Sequence, residues 1–122
     1  MEKYLEVMKW SVEIVETVEE AFLYIQQMIS QRNLEDYYYL IEEALNAIDN
    51  VLQASHPFID EEGFHLLETE SNFLIEEIDI FIERLEQEAF PDDISIEISQ
   101  LLKSYRQWKL VLLKSYQSYL LS

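Results

Sequence analysis

Ile94, Ile98, Leu101, Tyr105, Trp108, Leu112, Ser115 and Tyr119 follow one another by alternating steps of four and three residues. On an α-helix such steps draw one nearly straight seam down a single side. Seven of the eight positions are apolar or aromatic, so a helix over about 93–121 must lie against other helices. The stretch also differs in charge. Between Asp92 and Ser122, Lys103, Arg106, Lys109 and Lys114 outnumber Asp92, Asp93 and Glu97, a net of +1 in a chain of −17; residues 1–91 therefore carry −18. A slightly basic apolar helix closing a strongly acidic chain suits the fourth wall of a bundle.

One glycine and two prolines in 122 residues leave few places for turns. Half of the chain is apolar, at 49%, enough to build one core in a domain of this length. The expectation is an all-α, up-down-up-down four-helix bundle, whose core dimerisation could complete, with helices over about 2–30, 34–54, 60–89 and 93–121. A pair of long hairpins that complete their core only by dimerising is the alternative.

In the first helix Tyr4, Val7, Ile14, Val18, Ala21, Ile25 and Met28 form one row, interrupted at Ser11, beside a second row of Leu5, Met8, Val12, Val15, Phe22 and Ile29. Asn33 suits an N-cap for a second helix whose seam is Leu34, Tyr37, Ile41, Ala44, Ile48 and Val51. Pro57 disfavours helical geometry at His56 and ends it. Phe58 to Gly63 reads as either loop or first turn. The third helix has Leu67, Leu74, Ile78, Phe81, Leu85 and Ala89 along its seam, with Leu66, Phe73 and Ile80 beside it. After Phe90-Pro91, an aspartate is placed to cap the fourth.

Several functions are disfavoured. Without cysteine there is no disulfide or thiolate site. Met1 to Glu6 lacks the layout of a signal peptide, and no uncharged apolar run approaches the ~18 residues of a membrane span. The protein is expected to be cytoplasmic. The net charge of −17 repels nucleic acid and anionic membranes.

Catalytic patterns are fragmentary. Glu62-Gly63-Phe64-His65 spells one Glu-x-x-His pair of a dimetal bundle, but such sites need two, and His56 follows Gln53 rather than a glutamate. Glu76-x-x-Asp79 and Glu13-x-x-Glu16 match halves of the magnesium site of all-α nucleotide pyrophosphatases, which is the remote alternative, yet they stand 63 residues apart. With Gly63 the only glycine, no phosphate loop is possible. No catalytic residue, cofactor or metal is expected.

Surplus apolar surface is more informative. Leu110-Val111-Leu112-Leu113 covers more than one side of the last helix, and Leu110, Leu113 and Ile96 fall opposite its seam. Eight Tyr, six Phe and two Trp are many for so short a chain, and aromatics anchor interfaces. A contact surface is expected at Trp108, Leu110, Leu113 and Ile96, with Tyr37, Tyr38 and Tyr39. Its occupant would be a protein client or a second copy, making a homodimer. The acidic faces, with Glu68, Glu76, Glu77 and Glu83, are ordinarily solvated surface; the functional alternative is an inhibitor, such as an immunity protein, antitoxin or nucleic acid mimic.

The opening Met1-Glu2-Lys3-Tyr4-Leu5-Glu6-Val7-Met8-Lys9, with the acidic helical layout, resembles small uncharacterised proteins of Gram-positive bacteria. More loosely, it is similar to flagellar-type export chaperones. That resemblance implies an adaptor or chaperone that cradles an apolar helix.

Overall fold

A computed structural model describes residues 2–28, 34–87 and 91–121, with side chains at 2–3, 28, 34–37, 91–92 and 121 left aside. Four helices follow in chain order: α1 (Glu2–Met28), α2 (Leu34–Ser55), α3 (Glu61–Glu86) and α4 (Pro91–Leu121). No strand occurs among the described residues. Each helix packs on its chain neighbour, α4 returns to α1, and the diagonal pairs stay apart. The core thus closes within a single chain, against the alternative of hairpins that need a second copy to complete it.

Cross-helix bonds fix the directions. Gln26 Nε2 donates to Ser99 Oγ at 2.8 Å and Arg106 meets Glu19 at 3.1 Å, so α1 and α4 run oppositely. Trp108 Nε1 donates to Ser71 Oγ at 2.7 Å and Arg84 meets Glu97 at 2.9 Å, which makes α3 and α4 antiparallel as well.

The boundaries have local causes. Helix α2 stops at Ser55, whose carbonyl accepts from the backbone N–H groups of Phe58 and Ile59 at 3.2 Å each. Asp60 then caps α3: its side chain accepts from the Gly63 N–H at 2.6 Å, satisfying one of the donors a helix start leaves open. A Cβ on Gly63 would come within 2.9 Å of Asp60 Oδ1 and 3.1 Å of Ile59 Cγ2, so the one glycine makes room for this cap. Phe58 to Gly63 therefore divides into a tight turn and the first residues of α3. Helix α4 begins at Pro91, not after an aspartate cap. Proline needs no hydrogen-bond partner at a first helical position, and Asp92 and Asp93 fall inside the first turn. The proposed cap Asn33, and the ends assigned to 29–30 and 88–89, lie outside the described residues.

The α4 seam is buried from Ile94 to Leu112, and Leu102 and Tyr116 join it. On α1 the buried line is Met8, Ser11, Val15, Val18, Phe22 and Ile25, running between the two rows read from the sequence. Ser11 is a core position rather than a gap. Ser71 and Ser55 are buried likewise, each donating to the carbonyl four residues back, Leu67 and Val51, at 2.7 Å. Burial of each large apolar side chain stabilises by about 1.5–3 kcal/mol, whereas an exposed ion pair contributes about 0–1 kcal/mol. The apolar core therefore dominates.

Candidate interaction surface

Helix α4 presents a different surface to each neighbour. Toward α1 it is charged: Lys109 Nζ lies 2.7 Å from Glu16 and 3.3 Å from Glu19, and Arg106 reaches Glu19. Burial pushes the Glu19 pKa up, but hydrogen bonds from Arg106 and Lys109 outweigh it and hold the carboxyl below the usual range. The hydrogen bond that Lys109 donates to Glu16, opposed by burial and aided by Glu19, raises the pKa of Lys109. Beneath these ions Tyr105 donates its hydroxyl to the Val15 carbonyl at 2.6 Å, and burial drives that phenol's pKa far upward.

Toward α3 the inner surface is tied by the Trp108–Ser71 bond and the outer one is apolar. Leu66, Phe73 and Ile80 recur every seven residues on α3 and are 53%, 60% and 53% exposed. Ile96 and Leu110, two such steps apart on α4 with Lys103 between them, are 59% and 52% exposed. Of the two stripes, Phe73 and Lys103 meet across one groove, whereas Ile96 and Leu110 point outward, opposite the buried α4 seam. Phe73 shares a depression with Glu70, Glu77, Lys103, Ser104 and Gln107. Lys103 and Ile96 line the next along α4. At the other end Leu66 lines a cleft with Phe58, Ile59, Val111, Lys114 and Tyr119.

This geometry divides the residues expected to form a contact surface. Ile96 and Leu110 are exposed together on one stripe. Leu113 is half-buried; it continues the line of Ser99 and Arg106, the residues that bond to α1, and so leaves the Ile96–Leu110 stripe. Trp108 is 1% exposed, a core anchor between α4 and α3 that no partner can touch. Tyr38 is half-buried, its pKa raised by burial and by Glu86 at the end of α3. Tyr39 is exposed on α2, diagonal to α4, so the tyrosine run and α4 do not share a surface. The side chain of Tyr37 lies outside the described residues. Leu66, Phe73 and Ile80 were the residues missed as a surface. Their seven-residue spacing was legible, but a helix with apolar residues on adjacent rows does not reveal which row its neighbours cover.

The remaining patterns do not converge. Asp60 occupies the turn before Glu62, His65 is exposed, and His56 stacks on Phe64 with centroids 3.9 Å apart. Among the described residues no group of three or more His, Asp or Glu side chains could hold a metal ion. No described helix is long and apolar enough to cross a membrane. No family model, curated protein or solved structure matches the chain, so the resemblance of its opening residues stands as an expectation.

Proposed function

We propose that this protein is a cytoplasmic adaptor or chaperone-like bundle that acts by binding another protein surface, without catalysis, through the outer face of α3 and α4. The observation that carries this reading is the pair of outward stripes, Leu66–Phe73–Ile80 and Ile96–Leu110. Aligned apolar surface of this kind marks an interaction site. Covering what remains exposed of one such side chain contributes roughly 1 kcal/mol, so five together outweigh the charges around them. The test is to compare the native chain with a Phe73→Glu, Ile80→Glu variant, by pull-down and by sedimentation. Association should fall at least ten-fold while the helical circular dichroism holds. Unchanged association would count against this face.

The second reading, an inhibitor working through acidic faces, draws on Glu76, Glu77 and Glu83, which are exposed on α3 around the same stripe. Salt separates the two. Apolar docking persists at high ionic strength, whereas recognition by carboxylates alone weakens as charges are screened within about 10 Å.

A further inference from the structure

We infer that the occupant of the α3–α4 face is a second copy of this chain, docked about a twofold axis parallel to the helices so that α3 of one protomer lies on α4 of the other. This rests on the reading above that the face is an interaction surface, and adds what covers it and how.

Charge selects the arrangement. Between Glu61 and Glu86, α3 carries nine acids against Arg84, a net of −8. Helix α4 carries four cations against three acids, a net of +1. A twofold axis perpendicular to the helices would lay α3 on α3, acid against acid, or α4 on α4 with Lys103 facing its own copy. An axis parallel to the helices instead brings each acidic α3 toward the partner's Lys103 and Lys114, the α4 cations that α1 does not take up. Among the described residues no ion pair engages Glu70, Glu77, Lys103 or Lys114, so these charges are available across the interface.

Register supports the same choice. A twofold parallel to the helices preserves height, so each residue of α3 meets those partner residues that stand level with it in its own chain. The Ser71–Trp108 and Arg84–Glu97 contacts set those levels. Counting inward from either, Glu77 stands level with Lys103, and therefore with the partner's Lys103. Phe73 falls midway between the partner's Lys103 and Leu110, and Ile80 midway between the partner's Ile96 and Lys103. Leu66 comes between the partner's Leu110 and Gln117. At these heights each apolar side chain of the α3 stripe stands between two residues of the partner's α4 rather than head-on against one. At about 1.5 Å per residue and about 10 Å between axes, the two helices offer roughly 800 Å² per partner, the area of a standard stable interface.

Sedimentation at physiological salt tests this with the full chain. The native protein should run at twice its 14.7 kDa mass. Phe73→Glu should dissociate at least ten-fold more readily, with its helical circular dichroism unchanged. Glu77→Lys and Lys103→Glu should each weaken self-association several-fold, because the symmetric dimer then opposes like charges twice. Mixed together, these two variants should form a heterodimer, since both contacts become opposite-charge pairs. A mixture giving no more dimer than either variant alone would overturn the α3-on-α4 arrangement. If the native chain stays monomeric at micromolar concentration while Phe73→Glu still loses protein capture, the second copy is overturned and the binding face survives. If a native dimer is indifferent to Phe73→Glu and Ile80→Glu, both the arrangement and the face are overturned.

Discussion

The two flanks of α4 solve the same problem differently. On the α1 side, Lys109 and Arg106 span Glu16 and Glu19 above a buried Tyr105 hydroxyl bound to the α1 backbone. On the α3 side, the indole of Trp108 bonds to a buried serine within, while Leu66, Phe73 and Ile80 remain open to water outside. A flank roofed by ion pairs is finished by its own chain. A flank roofed by apolar side chains leaves free energy to be gained by covering them. On the first flank Arg106 and Lys109 make three ion pairs, whereas on the second the described residues show one, Arg84–Glu97.

Trp108→Ala strikes the inner part of the α3 flank and should have the largest effect, a loss of about 3–5 kcal/mol measured by urea unfolding. Trp108→Phe should lose less, since it keeps most of the bulk while giving up the bond to Ser71. Tyr105→Phe does the equivalent on the α1 flank, at about 0.5–1.5 kcal/mol, since the Val15 carbonyl keeps its helical bond. A Tyr105→Phe variant as stable as the native protein would show that this flank rests on apolar contact alone.

The ionic roof should contribute less and should depend on pH. Because the folded pKa of Glu19 is lowered from 4.5, its contribution is present above that value and is lost as pH falls through the folded pKa. Lys109 behaves oppositely: its raised pKa gives a contribution present below 10.5 and lost as pH climbs through the folded value. Glu19→Gln should therefore destabilise at neutral pH, and the gap from the native protein should narrow on acidification below about pH 4. A gap constant from pH 7 to pH 3 would remove the ion pairs from the account of this flank. Smallest of all, Leu66→Lys on the outer α3 flank should leave unfolding free energy within about 0.5 kcal/mol while weakening association.

Much of the fold was legible because helical periodicity is a local property. The long seam from Ile94 to Leu112 is buried as its spacing requires, and the scarcity of glycine and proline foretold four helices joined by short links. Ser11, Ser55 and Ser71 were less legible. A serine reads as polar wherever it stands, and a core position suits Ser55 and Ser71 only because each hydroxyl bonds to its own helix and to Tyr116 or Trp108. The candidate surface was half legible for a related reason: Ile96, Leu110 and Leu113 were all placed opposite a clear seam, but Leu113 turns toward α1 and is half-buried, and Trp108, itself a seam residue, was grouped with them by its type.

By itself, the amino-acid order determined which residues share a side of each helix, how many helices there are, and that acid gathers before Asp92 while cations gather after it. Only the tertiary structure decided which of those sides meet. Periodicity fixes a direction around one helix axis, but the neighbour in that direction depends on how four axes pack together. That is why the α3 stripe of Leu66, Phe73 and Ile80 faces water, and why Trp108, on a neighbouring arc of α4, faces none.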